Sequence, residues 1–219
     1  MNFKSAVDYY KDLRPSNLKT PKYKHLFLVL FWPVFGLVFM TLEQFWPHIY
    51  QAITGNELIY QEVVSQLDSY IPFCEWVVIP YYFWFAFLVG MALYGLLFDI
   101  RAFRHFSWFV ILSYSITAII YLLWPNMQAL RPIEFTRDNW MINIVKGLYD
   151  FDTNTNVCPS IHVLGSFAVC FAGLHSKTLK GWGWKLFFIV STALILCAVC
   201  YPFVFYVICK PRQESPKKD

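Results

Sequence analysis

The chain has 219 residues, of which 58% are apolar and only 15% charged, where a soluble domain carries roughly one quarter charged residues. That composition excludes an ordinary soluble domain and describes a membrane protein. The formal charge of +4 comes from Lys and Arg lying between apolar stretches, a pattern of positive-inside anchoring that argues against a nucleic-acid partner.

Residues 1–25 form an N-terminal segment with a short helical piece around Asp8 and Lys11, then turns at Pro15 and Pro21. Six Lys or Arg precede the first apolar run without a short apolar region and cleavage site after it. A cleavable signal peptide is therefore not expected, and the N-terminus stays cytoplasmic. The membrane domain covers 26–209, with a polar tail at 210–219. Its first span is 26–45, where Pro33 and Gly36 allow a bend or a close neighbour. Residues 43–75 contain five acidic residues and no Lys or Arg, which puts them outside. Ile49, Ile53, Leu58, Tyr60, Val63 and Leu67 would let one or two helices lie there on the membrane surface. The second span is 76–98, closed on the inside by Asp99, Arg101, Arg104 and His105, and the third is 106–124. Trp76, Trp108 and Trp124 near span ends suit the interface, and Gly90 and Gly95 are assigned to helix packing.

The polar stretch 125–158 includes an amphipathic helix between Asp138 and Tyr149. The fourth span, 160–175, is short for a bilayer and suits a helix packed inside a bundle. The fifth lies within 182–209. The expected fold is thus an all-α, polytopic transmembrane helix bundle of about five spans. Starting inside and crossing five times leaves Lys210, Arg212, Lys217 and Lys218 outside, against the bias of every earlier loop; one further span would repair this. Cys170, Cys197, Cys200 and Cys209 read as small buried hydrophobes. Cys74 and Cys158 lie nearer polar segments, where an oxidising side would allow a disulfide.

The segment from Asn154 to His175 carries the chemistry. It runs from polar residues through Cys158-Pro159-Ser160-Ile161-His162 into an apolar helix. Pro159 suits a first helical position, which places Ser160 and His162 in the opening turn beside unpaired N–H groups and the positive end of the helix dipole. An anion such as phosphate fits there; an ordinary loop-to-helix junction would read the same way.

Asn154 to Val163 resembles the second signature of the type 2 phosphatidic-acid phosphatase superfamily, whose core is Pro-Ser-x-His. Ile161, where the main lipid phosphatases usually have Gly, is more like the bacterial and fungal branch related to inositol-phosphorylceramide synthase. Tyr121, Trp124-Pro125 and Arg131-Pro132 resemble that branch's first signature, although the Lys that the superfamily places seven positions before the Arg is replaced here by Trp124. The resemblance implies that His162 is catalytic, protonating the leaving oxygen, and that Ser160 and Arg131 bind phosphate. Guanidinium geometry and an imidazole that is neutral or protonated near pH 7 agree with those roles. Arg137 and Lys146 are weaker phosphate candidates.

The third signature, a His with an Asp four residues later that supplies the nucleophile, has no counterpart. His175 is the only His after His162, and position 179 is Leu. The resemblance covers roughly residues 76–190 and stops before the nucleophile, which implies either a truncated or frameshifted end or a degenerate member that binds without turnover. The family-like bundle would have six spans with the last missing. The expected function is a membrane lipid-phosphate phosphatase or phosphotransferase homologue, a hydrolase or transferase of lipid metabolism, weakly active or inactive as it stands. The alternative is a non-catalytic membrane protein that binds lipid phosphate. Its partners would be a lipid phosphate and membrane lipids, with a homo-oligomer left open; no cofactor and no metal are called for. The expected setting is a bacterial plasma membrane, with the site on its outer face.

Overall fold

A computed structural model describes residues 3–63, 73–132, 134–135 and 137–199. The remainder of the fifth span beyond 199, the tail at 210–219 and part of the proposed surface helices, 64–72, lie outside the described residues. The protein is an all-α membrane helix bundle, with four helices long and apolar enough to cross a bilayer among the described residues. They are α2 (Lys24–Thr54), α3 (Glu75–Phe98, opening with a tight turn), α4 (Ile100–Leu123) and α7 (Trp182–Val199). The remaining helices are α1 (Phe3–Tyr10), α5 (Trp140–Phe151) and α6 (Ile161–Leu174).

Two boundaries differ from the sequence reading for local reasons. The first span does not end at 45, because α2 continues through a π-helical turn at Thr41–Phe45 to Thr54 and stops at Gly55 with φ 72°. Pro47 sits in the first turn of that last piece, where a missing N–H is tolerated. Glu43 therefore projects from a helix. Beyond Gly55 the chain is extended, and β1 (Gln61–Glu62) pairs in parallel with β2 (Asn126–Met127). Likewise no loop separates the second and third spans. Asp99 alone turns the corner, its carboxylate accepting from the Ala102 N–H at 3.1 Å. Arg101, Arg104 and His105 thus belong to the opening turns of α4.

The helix α6, with 14 residues, is too short to span a bilayer alone and packs among α3, α4 and α7. Its inward positions Gly165, Ser166, Ala168, Ala172 and Gly173 are buried, and such small residues let neighbouring backbones come close. They meet Phe106, Val110 and Tyr114 of α4 and Phe188 of α7 in the principal core. Gly95 has the packing role expected of it, since a Cβ there would stand 2.9 Å from the Phe103 backbone. A Cβ at Gly90 would meet no atom of the described residues within 4 Å, so no close packing onto that glycine is present among them. Cys158 carries a free thiol, so no disulfide joins it to Cys74.

Candidate functional site

The candidate site is the junction where residues 152–160 enter α6. Ser160 is extended and caps α6, its Oγ accepting from the Val163 N–H at a long 3.4 Å. The helix begins at Ile161, so Pro159 lies before the cap, outside the first helical position expected for it. His162 is in the first turn as expected.

Four side chains distant in sequence shape that junction. Asn126 is fully buried; its Oδ1 accepts from the Val157 and Cys158 N–H groups at 2.9 Å each. Its Nδ2 donates to the Cys158 and Trp124 carbonyls at 2.7 and 3.0 Å. Both ends of one amide are thus used, which fixes its orientation. Glu43 of α2 accepts from Thr153, from Thr155 at 3.3 Å and from Asn156 Nδ2 at 3.1 Å. From α4, Tyr121 donates to the Pro159 carbonyl and Tyr114 to the Ile161 carbonyl at 2.9 Å. Asn156 has φ 53°, a left-handed conformation that Asn tolerates better than most residues.

The junction opens onto a cavity of about 1100 Å³ that runs along α3 and is bordered by Arg131, Ser160 and His162. All three residues expected at the site therefore share one cavity. Phe35 and Phe39 of α2, Trp84 and Leu88 of α3, and Leu148 of α5 form part of its apolar wall. The His162 ring lies 4.5 Å from that of Tyr81 and 4.2 Å from that of Trp84, centroid to centroid. His162 Nε2 is buried without a hydrogen-bond partner among the described residues.

Arg131 is arranged differently from the phosphate clamp expected of it. Its guanidinium donates to the Asp152 and Thr153 carbonyls at 2.6 and 2.7 Å. It also lies 4.4 Å over the Tyr149 ring and 3.8 Å from the Asp152 carboxylate. In this state it braces the loop beside the cavity. Asp152 accepts a hydrogen bond from Tyr81 at 2.7 Å. Burial pushes its pKa above the usual carboxylate range, and the Tyr81 bond and Arg131 charge oppose that shift without cancelling it. Arg137 pairs with Glu75 at 3.2 Å and Lys146 lies 5.4 Å from the Phe135 ring; neither borders the cavity. Among the described residues no group of three or more His, Cys, Asp or Glu stands ready to hold a metal ion.

Sequence reasoning missed Trp84, Asn126, Glu43 and Asp152. Glu43 carried a usable signal, an acidic residue within a helical apolar run, but was counted only among the acidic residues that put 43–75 outside. Trp84 carried none, being one of nine tryptophans. No family model, no curated protein and no solved structure matches the chain. The resemblance to the phosphatase superfamily rests on the motif residues alone.

Proposed function

We propose that the protein is a membrane lipid-phosphate phosphatase or phosphotransferase homologue that binds a phosphorylated lipid with its head at Ser160 and His162 and its chain along the apolar wall. The observation that carries this reading is the shared cavity, polar at the α6 junction and aromatic or aliphatic beyond it. A Ser hydroxyl and an imidazole at a helix start can engage an anionic oxygen and relay a proton. The Lys and Arg distribution supports a cytoplasmic N-terminus and an outer-face site.

The cavity also favours weak or absent turnover. Phosphoryl transfer through a covalent phosphohistidine needs a nucleophilic imidazole besides the one that protonates the leaving oxygen, and His162 is the one histidine bordering the cavity among the described residues. His175 caps the opposite end of α6, with Nδ1 2.8 Å from the Phe171 carbonyl oxygen. The non-catalytic reading, retention of lipid phosphate without hydrolysis, draws its support from that placement.

The deciding experiment combines equilibrium binding of a lipid phosphate panel to purified protein in detergent with phosphate release from the same panel. Wild type should bind lipid phosphates above their phosphate-free counterparts and release little phosphate, and His162→Ala should weaken binding. Release that disappears in His162→Ala would establish an enzyme, with the nucleophile supplied from outside the described residues. Equal binding of phosphorylated and phosphate-free lipids would overturn the proposal.

A further inference from the structure

Two buried polar atoms in this region have no partner among the described residues: His162 Nε2 and the indole nitrogen, Nε1, of Trp84. Both residues border the cavity, and their rings are 4.2 Å apart with a tilt of 42°. An indole N–H can only donate, and a buried donor without an acceptor is uncommon enough in folded proteins to call for a ligand or water. The placement of Trp84 is tightly defined: the residue is 5% exposed and its ring meets Phe85 edge-on at 4.9 Å. Gly165 completes the arrangement. A Cβ there would stand 3.2 Å from Trp84 Nε1 and 2.5 Å from the Tyr114 hydroxyl, so α6 approaches the indole this closely because position 165 has no side chain.

We propose that Trp84 is a ligand-binding residue, its indole N–H and His162 Nε2 together seating one oxygen of an amphiphile whose chain lies along the apolar wall. This rests on reading the cavity as a lipid site and adds the residue that recognises the oxygen. A lipid chain entering the cavity from a bilayer exchanges one apolar medium for another, so the chain contributes little discrimination. Polar contacts at the head decide which lipid stays. A phosphoryl oxygen and the oxygen of a neutral glycerol ester share the required acceptor chemistry.

The test uses the full chain in detergent and measures equilibrium binding of dodecyl phosphate and of monododecanoyl glycerol. Trp84→Phe removes the donor; Trp84→benzothienylalanine keeps the two-ring shape and replaces N–H by sulfur, which separates the hydrogen bond from packing. Both variants should bind dodecyl phosphate about tenfold more weakly than wild type. The benzothienylalanine variant should melt at or above the wild-type temperature, because a donor without a partner has been removed. If Trp84→Phe fails to fold, the benzothienylalanine variant decides. Affinities within twofold of wild type in that variant, or a wild type that binds neither amphiphile, would overturn the assignment of Trp84. Binding of the glycerol ester alone, weakened by the variant, would uphold Trp84 while overturning phosphate as the head group.

Discussion

The two ends of α6 present the same local problem, a polar junction entering an apolar helix bundle, and solve it differently. At the C-terminal end, the Asp99 carboxylate accepts from Ser176 Oγ at 2.7 Å, the Lys177 N–H at 3.0 Å, Thr178 Oγ1 at 3.3 Å and the Ala102 N–H at 3.1 Å. Tyr94 closes that network by bonding Thr178. At the N-terminal end, Asn126, Tyr114 and Tyr121 hold the loop backbone and Glu43 holds its side chains, yet two groups of cavity-lining residues stay open: His162 Nε2 and Trp84 Nε1 have no partner among the described residues. A saturated buried network serves to fix structure, whereas one left open beside a cavity has capacity for a ligand. The bundle is locked at the Asp99 end and available at the His162 end.

The strongest test of that difference is Asp99→Ala. Losing the acceptor leaves two hydroxyls and two N–H groups without it and removes the cap of α4, at a cost of about 3 kcal/mol. Thermal melting in detergent should fall accordingly while lipid-phosphate affinity in the still-folded fraction stays at the wild-type value. A fall in affinity without a fall in stability would mean that the ends do not divide these roles. Asn126→Ala should cost less, about 2 kcal/mol, because water can reach part of the opened loop. Its signature is local: hydrogen exchange at the Val157 and Cys158 amides should accelerate, with the Asp99 end still protected.

Acidity should act on the two ends with opposite sign. Burial alone would raise the Asp99 pKa, but the donors from Ser176, Ala102, Lys177 and Thr178 outweigh it and hold the group below its ordinary value. A depressed folded-state pKa gives stability that is present above the unfolded value, about 3.9 for Asp, and is lost as pH falls through the folded one. Asp152 is shifted upward by burial, so its contribution is present below the unfolded value and lost as pH rises through the folded one. Thus Asp99→Asn should flatten the loss of stability at acidic pH, whereas Asp152→Asn should flatten a loss that develops as pH rises from the unfolded value toward the raised folded one. Melting curves of both variants from pH 3 to 7 check the signs; a shared sign would contradict the contrast.

What the sequence revealed follows the range of each interaction. Apolar run length and amphipathic spacing are local; the first identified the membrane helices and the second α5. Capping and corner geometry depend on distant partners: Arg101 to His105 looked like a charged loop because the contacts from Ser176 to Thr178 that let Asp99 turn the chain alone lie far along the sequence. At the site, Ser160 and His162 were legible because their motif is contiguous. Arg131 was legible as a neighbour of the cavity, but its bonds to the Asp152 and Thr153 carbonyls require the fold of the intervening loop. Trp84 becomes distinguishable from other aromatic residues only when Gly165 and His162 are brought against it.

The smallest effect on stability is expected at Ser160, and it separates a helix cap from a ligand contact. The Val163 N–H lies 3.4 Å from Ser160 Oγ, beyond the usual range for a good N–H···O bond. Loss of this weak cap in Ser160→Ala should cost only about 0.5 kcal/mol, the low end for N-cap substitutions. If Ser160 also donates its hydroxyl proton to a phosphoryl oxygen, affinity for dodecyl phosphate should fall by about 1.5 kcal/mol, the lower range for a hydrogen bond to a charged group. Affinity for the uncharged glycerol ester should change less. A capping role alone predicts equal, small changes for both amphiphiles, because a loosened first turn does not distinguish their charges. Unequal losses would place the charge-sensing oxygen contact at Ser160 and leave Trp84 to hold whichever oxygen both amphiphiles share.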